Sequence, residues 1–180
     1  MTSAPPVVLA AAADDGLMAA LAAGIEAGGL PVARVELDAR AEDDDEHEAR
    51  FRQALAAVSA PPIIGGFSLG ARIAARICPD VAPLALLCFA YPFHAPGDPA
   101  RRTGLEALSR VRAPVRIIQG TRDPHGTEAD VRGYRLPETV ELVWLADGNH
   151  RFVPRSRSGL THAAHVEAAV ASALELIRRR

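Results

Sequence analysis

The 180-residue chain contains no lysine, and all 20 of its basic residues are arginine. Set against 22 acidic residues, this leaves a formal net charge of -2. A balance of this kind gives no whole-molecule attraction to a polyanion or to an anionic lipid surface. We therefore expect neither nucleic acid nor a membrane as a partner.

Cysteines and long apolar runs are also scarce. The two cysteines, Cys78 and Cys88, have neither the spacing of metal ligands nor the density of a disulfide scaffold, so we expect buried free thiols. No apolar run approaches the roughly 18 residues of a bilayer span, since even "LALLCFAY" has only the length of a strand. The first apolar run is stopped by Asp14 and Asp15 and follows no basic region, unlike a signal peptide. Cytoplasmic localisation is the default expectation.

Apolar periodicity predicts alternating strands and helices. Runs that are apolar on both faces are typical of strands inside a parallel sheet, and partly alternating runs are typical of its edges. The inner candidates are Val7–Ala12, Pro61–Phe67, Ala85–Tyr91 and Pro114–Gln119, and the edge candidates are Pro31–Leu37 and Thr139–Leu145. Helical stripes lie between them, namely Leu17/Met18/Leu21/Ile25, Phe51/Leu55/Val58, Leu69/Ile73/Ile77 and Leu160/Ala163/Val166/Val170/Leu174/Ile177.

This alternation favours an α/β fold, because parallel neighbours need crossover connections. We expect about six mostly parallel strands, helices on both faces, and one domain over residues 1–180, 49% of which are hydrophobic. Residues 92–113 suffice for a loop and one helix but not for a lid domain. The site is therefore expected to be shallow and open.

The stretch "GGFSLG" places Ser68 between a buried strand and a helix. Gly66 and Gly70 complete a G-x-S-x-G pattern, which in this context indicates a nucleophile elbow. The helix that begins at Leu69 offers its first backbone N–H groups to an oxyanion, and the Leu69 amide is the first candidate donor. The alternative is that the glycines only allow close packing and that Ser68 caps the helix.

A serine nucleophile needs a histidine base and a carboxylate that orients it. Asp123 lies in "TRDPHGT" after one predicted strand, and His150 lies in "LADGNH" after the last, in the order Ser, Asp, His. Two competitors share these loops. Asp147 is better explained as a turn residue, and His125 as a loop residue that lines the site.

Two further groups raise the question of a metal. His162 and His165 share a helix face but have no evident third ligand. The acidic run "EDDDEHE" at 42–48 fits the solvated start of a helix, where carboxylates match the helix dipole. We predict no metal and no organic cofactor.

Four blocks, "GGFSLGARIAA", "YPFHAPGDP", "IIQGTRDPHGT" and "LADGNHRF", resemble a group of small α/β-hydrolases. The group includes the Tex30 and KANSL3-like hydrolase domains, which are relatives of dienelactone hydrolase. The resemblance implies an α/β-hydrolase fold with Ser68, Asp123 and His150 as a catalytic triad.

Two other features follow from the same resemblance. Tyr91 and His94 of "YPFHAPG" either face the mouth of the site or form a loop-packing pair. The His-Gly-x-Gly type of loop that supplies a second oxyanion amide in the family is replaced here by alanines, so this amide would come from Ala11 or Ala12.

The expected function is that of a serine hydrolase, in particular a carboxylesterase for small-molecule esters. Lactone or thioester hydrolysis is an alternative within the same class. An alternative from another class is a catalytically weak or silent binding module, which the missing glycine-rich loop suggests.

Overall fold

The computed structural model describes residues 4–12, 16–38, 40 and 43–179. The strands are β1 (Val7–Ala12), β2 (Val32–Leu37), β3 (Ile63–Phe67), β4 (Ala85–Phe89), β5 (His94–Ala95), β6 (Asp98–Arg102), β7 (Val115–Gly120) and β8 (Val140–Leu145). The helices are α1 (Leu17–Ala27), α2 (Asp44–Leu55), α3 (Leu69–Val81), α4 (Leu105–Ser109), α5 (Glu128–Val131) and α6 (His162–Arg178), with a 3-10 turn at Ser156–Ser158.

Six strands form one parallel sheet in the order β2-β1-β3-β4-β7-β8. The two partly alternating segments, β2 and β8, lie at its edges, and the four apolar runs lie inside it. The predicted α/β fold is thus confirmed. Parallel strands bring their carboxyl ends to one edge of the sheet, so the loops after β3, β7 and β8 lie along the same rim.

Helices cover both faces of this sheet. Consecutive strand residues point to opposite faces, and an apolar cluster fills each one. On one face, Ile64 of β3 belongs to a cluster with Phe51 of α2 and Ile73 of α3. On the other, Leu9 of β1 belongs to a cluster with residues of α1 and α6. The inner strands are apolar at nearly every position because both of their faces are buried.

The acidic run 42–48, whose first residue lies outside the described part, begins helix α2. Asp43 caps the helix by accepting a backbone N–H of its first turn. Asp44 accepts two bonds from the Arg72 guanidinium, at 2.6 and 2.7 Å. Glu48 accepts one from Arg76 at 2.6 Å. The run therefore starts the helix as predicted, but Asp44 and Glu48 clamp α2 onto α3 and are not simply solvated.

Helix α6 differs from its predicted stripe. Leu160 precedes the helix and is 41% exposed, while the buried positions include Ala169 and Ala173. Val170 and Leu174 pack against α1, where Gly24 and Gly28 have no side chain: a Cβ there would lie 2.6 and 2.5 Å from these two residues. The buried face of α6 therefore includes small residues, and the branched residues Val170 and Leu174 contact α1 and its C-terminal end. Similarly, α2 ends at Leu55, and Val58 packs on the core from the following turn.

An antiparallel hairpin, β5–β6, precedes helix α4 in the segment that was predicted to hold only a loop and a helix. Every residue of β6 is exposed. Tyr134, which lies outside the hairpin, contacts it: the Arg102 guanidinium lies 5.1 Å from the centre of the Tyr134 ring. Across the described residues, nothing in this segment forms a lid over the sheet, and no helix is long and apolar enough to cross a membrane.

Candidate active site

Ser68 occupies a sharp turn between β3 and α3. Its backbone has φ 51° and ψ -113°, a conformation that is sterically costly for a residue with a side chain. Its N–H donates to the Phe89 carbonyl at the end of β4, at 2.9 Å. The side chain makes no capping bond to α3, so the alternative in which Ser68 is a simple helix cap does not describe this turn.

The two flanking glycines allow the end of β1 to touch this turn. A Cβ on Gly66 would lie 2.0 Å from the Ala10 carbonyl oxygen, and a Cβ on Gly70 would lie 1.8 Å from the same atom. Both contacts are with backbone, which cannot rotate away. The glycine pattern thus fixes β1, the turn and the first residues of α3 against one another.

A hydrogen-bonded series, which we call the file, runs from the Ser68 hydroxyl through the His150 ring to the Asp123 carboxylate. His150 Nε2 lies 3.0 Å from Ser68 Oγ, and His150 Nδ1 lies 2.8 Å from Asp123 Oδ2. A carboxylate can only accept, so Nδ1 carries the proton and Nε2 is left to accept the serine O–H. The structure brings together the three residues that the sequence predicted, in an arrangement suited to general-base activation of a hydroxyl.

Asp123 is fully buried, and three donors surround its carboxylate. His150 Nδ1 and Gln119 Nε2, the latter at 3.0 Å, reach Oδ2, and the His125 backbone N–H reaches Oδ1 at 2.9 Å. A buried carboxylate needs such partners because water cannot solvate it. Sequence reasoning missed Gln119, whose only signal was a neutral polar side chain in the buried strand "VRIIQG".

The ring of His125 lies against the ring of His150, with 4.6 Å between their centres. Its Nδ1 lies 3.2 Å from the His94 carbonyl oxygen, and since a carbonyl only accepts, Nδ1 carries the proton. Burial and the neighbouring His150 lower the pKa of His125. The lowered pKa favours the neutral form of His125, whose ring lies directly beside the file.

Tyr91 and His94 do not face a site mouth, so this part of the predicted lining is corrected. Tyr91 is fully buried, and its hydroxyl donates to the Gly104 carbonyl at 2.8 Å. His94 is 1% exposed, with Nδ1 2.7 Å from the Ala95 carbonyl oxygen. Both anchor the segment between β4 and α4, as the loop-packing alternative describes, because each finds a hydrogen-bond partner within that segment.

Asp147 and the helical histidines lie outside the file. Asp147 has φ 56° in the turn before His150, and its hydrogen bonds with Arg155 lower its pKa to about 2. His165 is buried, with Nδ1 2.7 Å from the Phe152 carbonyl oxygen, whereas His162 is exposed. Over the described ranges, no group of three or more His, Cys, Asp or Glu side chains could hold a metal ion.

The strand ladder distinguishes the two alanines proposed for the oxyanion. The Val7 N–H donates to the carbonyl of Pro31, which lies just before β2. The Pro6 carbonyl accepts from the N–H of Ile63 in β3. Alternate residues of a strand bond to the same neighbour, so odd-numbered residues of β1 face β2 and even-numbered residues face β3. The amide of Ala11 therefore points toward β2, while that of Ala12 points toward the side on which Ser68 and Leu69 lie.

A cavity of about 210 Å³ opens between β1, β2 and α1. Its described lining includes Ala11, Ala12 and Arg34 but none of the three residues of the file. Among the described residues, the cavity and the file therefore share no lining residue.

The sequence profile of the alpha/beta hydrolase domain matches residues 10–178. The chain belongs to the alpha/beta hydrolase family. No curated protein sequence matches the chain.

Solved structures of alpha/beta hydrolases superpose over almost the whole chain. A protein from Xanthomonas campestris pv. campestris, described as a hydrolase of the alpha/beta superfamily, is 26% identical, with a TM-score of 0.70 over 98% of this chain and 99% of its own. A second protein from Xanthomonas campestris, described as an a/b serine hydrolase without lid, is 18% identical, with a TM-score of 0.71 over 99% and 84%. A structure reported for the metagenome-derived lipolytic enzymes LipS and LipT is 16% identical, with a TM-score of 0.70 over 99% and 96%. The last two share the fold alone.

Proposed function

We propose that this alpha/beta hydrolase is a serine hydrolase, specifically a carboxylesterase that acts on small or exposed esters. The observation that carries the proposal is the file Ser68–His150–Asp123, with separations of 3.0 and 2.8 Å. These are hydrogen-bond distances, so a proton can pass from the hydroxyl to the imidazole without rearrangement.

In the acylation step, His150 Nε2 takes the Ser68 proton as Oγ attacks the ester carbonyl carbon. The carbonyl π electrons move to oxygen, giving a tetrahedral oxyanion, and the imidazolium is stabilised by the buried Asp123 carboxylate. His150 then returns the proton to the departing alcohol oxygen as the C–O bond breaks. The products are an alcohol and an ester of Ser68.

The oxyanion would be bound by the amides of Leu69 and Ala12. The first belongs to the free N-terminal turn of α3, which carries a partial positive charge. Ladder alternation favours Ala12 over Ala11 for the second. Loss of one such donor typically costs about 100- to 1,000-fold in turnover, so the position of the β1 end matters for the rate.

In deacylation, His150 takes a proton from water, and the resulting hydroxide attacks the acyl carbon. The acid is released and the proton returns to Ser68 Oγ. Each proton transfer is made by a residue of this chain, so the scheme requires no cofactor. Lactones and thioesters present the same carbonyl chemistry, and we include them as alternative substrates.

The narrower assignments are proposals of the same kind. The four sequence blocks support a place near the Tex30 and KANSL3-like hydrolase domains and dienelactone hydrolase. Two apolar clusters on the faces of one sheet support a single domain over residues 1–180. The net charge of -2 supports a small-molecule ester as partner in preference to nucleic acid or a membrane. Two buried free thiols support a cytoplasmic location.

Hydrolysis of short p-nitrophenyl esters tests the proposal. We expect turnover by the wild type, a loss of at least about 1,000-fold in Ser68→Ala, and wild-type rates in the control Ser109→Ala, which removes an exposed hydroxyl remote from the file. Absence of turnover across ester, lactone and thioester panels would favour the silent binding module instead.

A further inference from the structure

Gln119 is buried without any exposure and sits at the end of β7, four residues before Asp123. Its side-chain nitrogen lies near three acceptors: Asp123 Oδ2 at 3.0 Å, the Tyr91 carbonyl at 3.2 Å and the Gly126 carbonyl at 3.4 Å. Only an NH2 group can face three acceptors, so this network fixes which end of the amide is nitrogen.

The oxygen of the same amide has no such partner. Within the described part of the chain, Gln119 Oε1 is buried and accepts no hydrogen bond. A buried acceptor without a partner destabilises a fold, and an apolar side chain of similar length would avoid that penalty. The oxygen thus gives no reason for an amide at this position, and the reason lies in the three acceptors that its nitrogen faces.

The nitrogen connects two loops to the file. The Tyr91 carbonyl belongs to the loop after β4, and the Gly126 carbonyl belongs to the loop that contains Asp123. The third acceptor, Asp123 Oδ2, is the same oxygen that accepts from His150 Nδ1. Two N–H groups that converge on one oxygen fix its position and leave the other oxygen to the His125 amide.

We propose that Gln119 is a positioning residue: by donating to Asp123 Oδ2, it holds the carboxylate in the orientation that aligns His150 with Ser68. It acts through Asp123 and contacts no reacting atom. This inference rests on the proposed function for its kinetic consequences, but the alignment itself is a property of the folded protein.

The test replaces Gln119 by Met, which keeps an unbranched side chain of similar length and removes the N–H groups. Ile118→Val is the matched control, because Ile118 is the preceding residue of β7, is equally buried, and faces the opposite apolar cluster. We expect kcat for a p-nitrophenyl ester to fall about 10- to 100-fold in Gln119→Met, in line with loss of one bond to a charged acceptor, while KM changes less than about 3-fold. Ile118→Val retains the wild-type kcat.

Proton NMR provides a second readout that needs no substrate. An imidazole N–H that donates to a carboxylate resonates far downfield of the amides, so His150 Nδ1–H reports the alignment directly. We expect this resonance in the wild type and in Ile118→Val, and its loss or a clear shift in Gln119→Met. If Gln119→Met does not fold, Gln119→Leu replaces it in both experiments.

The outcomes separate this inference from the proposed function. An inactive wild type whose downfield resonance depends on Gln119 would refute the esterase proposal and leave the positioning role intact. A folded Gln119→Met with wild-type kcat and an unchanged resonance overturns the positioning role, as does a wild type that lacks the resonance. A lowered melting temperature alone, with kcat and resonance unchanged, would also mean that Gln119 is merely structural.

Discussion

Replacement of Asp123 by Asn removes one buried charge and almost none of the shape. In the wild type, Oδ2 accepts from two side chains and Oδ1 accepts from the His125 amide. An asparagine offers one accepting oxygen and one NH2 group. If its oxygen faces His150, its NH2 group faces one donor, the His125 amide. In the reverse orientation, the NH2 group faces two donors, His150 Nδ1–H and the Gln119 NH2. We therefore expect the amide oxygen to face His150 and to preserve its Nδ1–H tautomer.

The predicted loss is then the loss of charge stabilisation. Opposite unit charges about 4 Å apart attract by about 4 kcal/mol at an effective dielectric constant of about 20. At 1.36 kcal/mol for each factor of ten, the imidazolium formed in the transition state loses support worth about 1,000-fold in kcat/KM. The asparagine NH2 group also faces the His125 N–H, which is left without an acceptor. This contact lowers the free energy of unfolding by about 1–3 kcal/mol.

The assay is kcat/KM for a short p-nitrophenyl ester, with circular dichroism melting to confirm folding. Asp147→Asn is the control, since Asp147 lies three residues before His150 and pairs with Arg155 outside the file. We expect near wild-type turnover from the control. A folded Asp123→Asn within about 10-fold of the wild type, or an equal loss in Asp147→Asn, would show that the Asp123 charge does not support His150 in this way.

Three further predictions concern the elbow, the helix clamp and the base. Gly70→Ala should destabilise the fold by about 1–3 kcal/mol in denaturant melts, because the new Cβ meets the Ala10 carbonyl; an unchanged midpoint would contradict this contact. The Arg72 hydrogen bonds hold the pKa of Asp44 below its ordinary 3.8. The stabilisation is therefore complete above pH 3.8 and lost as pH falls through the lowered value, so Asp44→Asn should lose about 1 kcal/mol at pH 7, and this difference should shrink below pH 3.8. A pH-independent difference would contradict the ion pair. His150→Ala should abolish ester turnover with an unchanged circular dichroism spectrum, whereas unfolding would mean that the ring is structural.

Much of the fold follows from local patterns in the chain. Strands with apolar residues on both faces could be placed inside the sheet because only burial on both sides tolerates such runs, and β2 and β8 alternate because one of their faces is less covered. The file was predictable because Ser68, Asp123 and His150 each follow a strand, and parallel strands end at a common rim. The position of each residue just after a strand thus predicted that the three side chains would lie close together.

Other features depend on contacts that no local pattern records. The hairpin of residues 94–102 has neither apolar alternation nor a buried outer strand, and Tyr134 holds it from a distant part of the chain. The buried face of α6 depends on where α1 lies. Gln119 interrupts an apolar strand, and its role is visible only once Asp123 and the Tyr91 carbonyl are seen around it.

In the proposed chemistry, Ser68 is a nucleophile activated by His150. The most direct test of this activation is reaction with a fluorophosphonate probe, followed by peptide mapping of the adduct by mass spectrometry. We expect a single adduct on Ser68 that is absent from Ser68→Ala and forms much more slowly in His150→Ala. A folded wild type that forms no adduct, or one that reacts at another residue, would contradict the proposed chemistry.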